Sequence, residues 1–555
     1  MREALLKLRT INRPYCLLFI FIFCLPVSVF AQEEDIIYEE TKTEAAIQEK
    51  NIIQEEDIED IIYVIISINF NIKGLTKPFA IIRNAELYTG EELAGKEKLE
   101  KYIADKAQLL LNQRVLKTAR IDYTIGEKQP DEKYPVDLLV STEDTWNIIA
   151  LPQPKYDSNT GFELTIKARD YNFLGTMNPL RLNIGYKYDE YEHSSLLVEL
   201  ESDMPFTVFG YNWNLTFNNY FSYRPQVSEP FFYQNTTGLS MELPFKKTTF
   251  TFSFYEYTKL NEENADRYKD EGYGEFQEGI YMTSRLVTSW KIPTGLLIRD
   301  YGELTYRPEI SVNFYHEFPD WPLDDFRRGP TMNFNHSLGF DKIDWIGNYR
   351  KGLALSLRNS YTYDFYKINE EVKALSFDYS VSAKGYFIFG NSFGISTYLQ
   401  FRHWFYHDPA YYESAGDVLR GILDTAVHAN YMLSLNLDFP AKILEFAPSK
   451  WFKTKKLSLF DFEMHVSPII DMALYHDPEK NIAFSFKNML VSGGMEIIVF
   501  PAFMRSLYLR ISVAWNFIEQ INNPGNYYLN PVLPILPHLP EGNNREIFVG
   551  IGHHY

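Results

Sequence analysis

From Thr142 to the end of the chain, one pattern recurs: segments of about ten residues in which apolar and polar side chains alternate. Leu180, Leu182, Ile184, Tyr186 and Tyr188 alternate with Arg181, Asn183, Gly185 and Lys187. Phe209, Tyr211, Trp213, Leu215 and Phe217 alternate with Gly210, Asn212, Asn214, Thr216 and Asn218, and Leu507 to Phe517 repeats the pattern. Successive side chains of a strand point to opposite faces, so each segment has one apolar and one polar face. A strand of this length, tilted, crosses a bilayer, with lipid on one side and a wet lumen on the other. A soluble sandwich or lipocalin-like barrel also buries one face. Here, however, the polar faces carry Arg and Lys and the aromatics gather at segment ends. The 40 Tyr, 42 Phe and 8 Trp supply the amphipathic rings that a membrane barrel places at its two interfaces. The expected fold class is therefore an all-β transmembrane barrel. Seventeen candidate strands follow Gly161, and Thr145–Gln153 is a possible additional first strand.

The residues before the barrel divide into three parts. Residues 1–31 carry Arg2, Lys7, Arg9 and Arg13, then an apolar run from Tyr15 to Phe30 and a small residue, Ala31, which reads as a secretory signal peptide. Both cysteines, Cys16 and Cys24, lie within it, so the mature chain would have no disulfide, no thiol nucleophile and no thiolate-bound metal. Residues 32–61 read as an acidic disordered tether, with twelve acids and two lysines between 33 and 60. The whole chain has a formal charge of -19, which argues against nucleic acid as a partner.

Residues 62–143 read as one small α+β domain. Ile66, Ile68, Phe70 and Ile72 alternate with polar residues as a half-buried strand that ends at Gly74. Pro78 opens a short helix through Glu86, and Gly90 and Gly95 bracket a loop. Lys96–Gln113 has Leu99, Tyr102, Ile103, Leu109 and Leu110 at helical spacing. Strands at Lys117–Ile125 and Tyr134–Ser141 follow.

This order of strand, helix, helix, strand, strand resembles a POTRA domain, and with the barrel behind it the chain resembles the BamA/TamA outer-membrane assembly-factor superfamily, also called the bacterial surface antigen family. Asp170-Tyr171-Asn172-Phe173-Leu174-Gly175-Thr176 is similar to a turn near the start of that family's barrel, with Met177 where a second glycine is usual. Leu419-Arg420-Gly421-Ile422, followed by Tyr431–Pro440, resembles the Val-Arg-Gly-Phe/Tyr motif of the family's sixth extracellular loop. Five strands are read after that motif, as the resemblance implies. It also implies sixteen strands in all, against eighteen as the alternative from the segments themselves.

The resemblance assigns several residues. Arg420 and Gly421 form the lumen loop motif, and Asp471, with Glu496 as second candidate, is the expected carboxylate partner of Arg420. The last strand, with Gly550, His553 and Tyr555, is similar to the C-terminal signal by which outer-membrane barrels are assembled. The function implied is insertion, assembly or translocation of other outer-membrane or secreted proteins. The implied location is the bacterial outer membrane, with the POTRA domain in the periplasm and the long loops at the surface. Expected partners are those clients, the lipid bilayer, and periplasmic chaperones or accessory lipoproteins.

A passive porin or surface adhesin is the alternative reading, and a two-partner-type secretion pore the next. No cofactor and no catalytic or metal site is expected. His403, His407 and His428 lie near Asp408, Asp417 and Asp424, but the chain has neither a Gly-x-Ser-x-Gly elbow nor a His-Glu-x-x-His motif. His553 and His554 have no third ligand nearby in sequence.

Overall fold

The computed structural model describes residues 61–555 except 131, 158–160, 189–193, 227–229, 246–247, 262–278, 299–300, 317–329, 366–373, 406–411, 423–426, 479, 505–506, 518–544 and 552–555. The signal peptide, the tether, and the histidines and tyrosine at 553–555 therefore lie outside the described residues.

The first domain contains β1 (Ile62–Lys73), α1 (Pro78–Ala85), β2 (Glu92–Ala94), α2 (Lys96–Asn112), β3 (Leu116–Ile125) and β4 (Tyr134–Asp144), with a sheet of order β2-β1-β4-β3. Central β1 and β4 run parallel, and the intervening chain supplies two helices that cover one face of the sheet. Ala80 and Ile81 from α1, Leu99, Ile103 and Leu110 from α2, and Ile65, Val136, Leu138 and Val140 from the strands form its core.

The structure corrects the sequence reading of this domain in two places. Ile66 is half exposed because β1 bulges between Ile65 and Ser67, so Ile65 faces the core before the bulge and Ile68, Phe70 and Ile72 after it. The supposed loop between Gly90 and Gly95 contains β2, which pairs with only the first three residues of β1. Backbone bonds with Gly90 and Glu91 extend that cover to Ile65, and among the described residues no strand pairs with the rest of that edge.

The barrel strands are β5 (Ile148–Asp157), β6 (Gly161–Asp170), β7 (Leu180–Tyr188), β8 (Ser194–Val208), β9 (Tyr211–Tyr223), β10 (Phe231–Phe245), β11 (Thr248–Leu260), β12 (Ile280–Leu297), β13 (Glu303–His316), β14 (Pro330–Ile346), β15 (Tyr349–Asp364), β16 (Leu375–Phe389) and β17 (Phe393–Phe405). After a loop that contains the small hairpin β18 (Glu413–Ser414) and β19 (His428–Ala429) come β20 (Tyr431–Asp438), β21 (Ala441–Phe446), β22 (Phe462–His476), β23 (Leu490–Pro501), β24 (Leu509–Asn516) and β25 (Arg545–Ile551). Apart from β18 and β19, these strands form one closed antiparallel barrel among the described residues.

Strands β20 and β21 both pair with β17 and β22. They are two pieces of one stave, interrupted at Pro440, which has no amide hydrogen for the ladder. The barrel therefore has eighteen staves rather than sixteen. The extra first strand is β5, and the seventeen from Gly161 are β6 to β25. Five staves follow the loop.

The alternation expected from sequence appears as two faces. Leu164, Ile166, Ile184, Val198, Leu239, Phe252, Phe254, Leu286 and Ile310 are exposed on the outside, and polar side chains line the lumen. An outer belt of large apolar side chains has no place in water but suits lipid. Two segments begin later than their alternation suggests. Phe209 and Gly210 form a two-residue hairpin turn with φ of 55° and 78°, the signature of a type I′ turn, and Phe209 is 90% exposed. Likewise Leu507 belongs to a turn ahead of β24, its amide bonded to Met504 O.

Short turns such as 209–210 and 347–348 lie at the barrel end that carries the α+β domain. The domain is docked on its end by both helices. Gln108 and Asn112 of α2 donate to Trp345 O and Asp344 at 3.2 and 2.8 Å, Lys342 pairs with Asp105 at 3.3 Å, and Lys291 pairs with Glu86 at 3.3 Å. The Arg114 guanidinium lies 4.1 Å from the centre of the Trp345 ring.

The turn between β6 and β7 enters the same interface. Asp144 accepts hydrogen bonds from Leu75 N, Thr76 N, Thr76 Oγ1 and Asn172 Nδ2, and Lys77 N donates to Gly175 O. Met177 takes φ 59°, a region glycine enters more readily, and its side chain is buried in the domain core.

Candidate functional site

Between β17 and β20, the described residues 412–422 and 427–430 fold back into the lumen. Alanine and branched aliphatic side chains let them: Ala415, Leu419, Ile422 and Ala429 pack against Met432, Ala473, Tyr475 and Leu490 on the inner wall. The Leu419 amide bonds back to Ala415 O at 2.9 Å, a single helical turn that delivers Arg420 to the far side of the cluster.

There Arg420, 2% exposed, meets Asp471, 1% exposed, from β22. Its Nε and Nη2 donate to Oδ2 and Oδ1 at 2.9 and 2.6 Å, and its backbone amide adds a third bond to Oδ2 at 2.8 Å. This is the bidentate geometry that a planar guanidinium makes with a carboxylate and a lysine cannot. Nη1 lies 2.7 Å from Asp438 Oδ1, on β20, so two carboxylates flank one cation.

Asn436, two residues before Asp438 on the same inward face, donates to Val418 O at 2.8 Å and fixes the loop backbone. Glu496 sits close by but serves another cation, with its Oε2 3.4 Å from Arg510 Nη1. The structure thus brings Arg420 together with Asp471 and gives Glu496 to Arg510.

Gly421 explains why the motif's second residue is glycine. Its φ is 83°, and an added Cβ would lie 2.7 Å from Trp515 N and 2.8 Å from Ala514 C, both backbone atoms of β24. Its amide donates to Glu546 Oε2 at 2.8 Å, and Glu546 belongs to β25, the last strand. Further along the lumen face of β25, the Phe548 ring packs 4.1 Å from the Arg510 guanidinium. Gly550 lies behind it, where a Cβ would meet the Phe548 ring at 2.6 Å and Gln153 of β5 at 3.4 Å.

The loop therefore rests on the two strands beside the closure of the barrel. Among the described residues, β25 and β5 share the register pair Phe548 with Asp157 and also meet where Gly550 faces Gln153.

Asp438, Asn436, Arg510 and Glu546 were missing from the sequence reading. Their signal was present in the alternation. Each stands on the polar face of a strand next to the loop or the seam, where a charge turned inward needs a partner. His403 faces outward, its ring tilted against that of Tyr431 with centroids 4.9 Å apart. His407, Asp408 and Asp424 lie outside the described residues.

One hydrogen-bonded cluster was not anticipated. Ser284 Oγ donates to Glu256 at 2.5 Å and lies 2.7 Å from His316 Nε2, on the outer face above Phe254 and Leu286. The strand amides around it are committed to the ladder, which leaves the cluster without donors for an oxyanion.

No family model matches the sequence, and no curated protein matches it. Solved structures do. BamA from Haemophilus ducreyi lacking POTRA domains 1–3 is 14% identical, with 82% of this chain and 81% of that chain covered and a TM-score of 0.34. CdiB from Acinetobacter baumannii is 12% identical over 88% and 74% of the two chains, with a TM-score of 0.42. CdiB from Escherichia coli is 10% identical over 82% and 72%, with a TM-score of 0.46.

Proposed function

We propose that this chain is an outer-membrane barrel of the BamA/TamA kind that assists the insertion, assembly or translocation of other outer-membrane or secreted proteins. The observation that supports this most directly is the lumen-seated loop held by Arg420 on Asp471 and Asp438 and, through Gly421, on Glu546 of the last strand beside the barrel closure. A loop so anchored occupies part of the lumen next to the last strand. The seam can offer the last strand to an incoming strand.

In this reading the first domain is a periplasmic POTRA domain and the long loops face the cell surface. The uncovered edge of β1 beyond β2 accepts an extended client segment as an added strand. The protein acts without cofactor or covalent chemistry, and accessory periplasmic proteins meet it at the POTRA domain.

Depletion of the protein tests the role. Levels of other outer-membrane barrels, or export of a secreted client, are expected to fall, and photo-crosslinkers at residues 66–72 or 545–551 are expected to capture nascent clients. Unchanged barrel and secretome levels on depletion would refute the proposal.

A further inference from the structure

The wall of the lumen formed by β13 to β17 carries a row of side chains that neither the loop nor the seam uses. Arg307 pairs in register with Ser337, Ser337 with Arg358, Arg358 with Ser380, and Ser380 with Arg402. All five point inward, since Ile310, Phe334 and Tyr361 on the opposite parity are exposed outside. Neighbouring strands are about 4.8 Å apart, so successive arginines stand about 10 Å apart, with only a serine hydroxyl between them. Two guanidinium groups at that spacing reach one tetrahedral anion, or two anionic groups of one small molecule.

The domain end of this row opens on a cavity of about 960 Å³ between α1 and the barrel wall, lined among others by Arg307, Ser337 and Arg358. That volume suits a small ligand. Three carboxylates also line it, and each has a partner. Glu86 pairs with Lys291 at 3.3 Å, Glu242 with Arg83 at 4.0 Å, and Glu309 with Arg285 at 3.7 Å. Arg307 and Arg358 have neither a hydrogen bond nor an ion pair among the described residues. Arg83 Nη1 is buried at the same cavity, also without a hydrogen-bond partner among them. Asp341 lies within Coulombic range of Arg307, yet in the lining itself the four cations Arg83, Lys291, Arg307 and Arg358 face the three carboxylates, which leaves the cavity a net attraction for anions.

We propose that Arg307 and Arg358 form an anion-binding site in the lumen for a phosphate-bearing ligand, with Ser337 between them as a hydroxyl donor. Phosphate suits the site because its oxygens accept guanidinium forks from two sides at once. The phosphate is carried either by a soluble metabolite or by a lipid headgroup.

The test uses the full chain in a non-ionic detergent at low salt, titrated calorimetrically with pyrophosphate, sn-glycerol 3-phosphate and dihexanoyl phosphatidic acid. Pyrophosphate is expected to bind, at least tenfold more weakly in Arg307→Gln or Arg358→Gln and not measurably in the double variant. Arg181→Gln, a lumen arginine already paired with Glu201 at 3.0 Å, is expected to bind as the parent does. Heat-modifiable gel mobility confirms that each variant is folded. Tighter binding of glycerol phosphate than of the short-chain lipid assigns the ligand to the soluble pool, and the reverse assigns it to the membrane. No pyrophosphate binding at millimolar concentration, binding unchanged in the double variant, or equal binding of glutarate would each overturn the proposal.

Discussion

Arg420 is the residue on which most depends. Removing its side chain leaves the buried Asp471, with Asp438 beside it, without its ion-pair partner, and losing one partner of a buried pair costs about 3–5 kcal/mol. Arg420→Ala is expected to release the loop, lower the temperature at which the folded gel band converts to the unfolded one, and impair function. Arg420→Lys should rescue little, because an ammonium cannot make the two-pronged bond. If Arg420→Ala kept wild-type heat-modifiability and activity, the loop would not be held by this pair. Gly421→Ala should behave similarly through a different cause: a left-handed backbone plus a clash with the β24 backbone, on the order of 2–4 kcal/mol together. Part of this site was legible in the sequence through the family resemblance, which implied Arg420, Gly421 and Asp471; Asp438, on the strand that follows the loop, was not read. Glu546 was not legible. It lies 125 residues from Gly421, and only barrel closure brings them together.

Among the elements, the period-two pattern gave the strands reliably, since side-chain alternation is a direct consequence of the pleat. It failed at their ends. Phe209 continues the alternation by residue type although Gly210 forces a turn, and the strand read as ending before Pro440 continues beyond it as Ala441–Phe446. Within the first domain, burial in the helix–sheet interface pushes the Tyr102 phenol up to about 12. The folded pKa thus exceeds the unfolded value of about 10, so the contribution of this group is intact below pH 10 and is lost as pH rises through 12. The helical circular dichroism of α1 and α2 in the detergent-solubilised chain is expected to fall over that range, and Tyr102→Phe to flatten the fall; an identical alkaline limb in the variant would show that another group controls it. The seam makes a second prediction. Amides of β25 should exchange with solvent faster than those of β14 and β15, which are paired along their whole lengths. Equal protection would mean the closure is held as firmly as those strands.

At the scale of the whole molecule, the sequence conveyed two domains and their order, but not that one is seated on the other. That docking relies on Asn112, Arg114 and Asp105 meeting the turn between β14 and β15, residues more than 230 positions apart that carry no mark of each other. Paired spin labels on α2 and on that turn should report one short distance in the wild type, and Asn112→Ala with Asp105→Ala should broaden it; a broad distribution in the wild type would contradict the seated arrangement. The Asp144 junction gives the seating a mechanical meaning. Only three residues separate β4 from β5, and the same carboxylate grips the turn after β6 through Asn172. The domain is thus geared to the first hairpin of the barrel. A tug on β1 cannot be absorbed by a slack hinge; it arrives as shear at β5, the strand that meets the last strand and closes the ring.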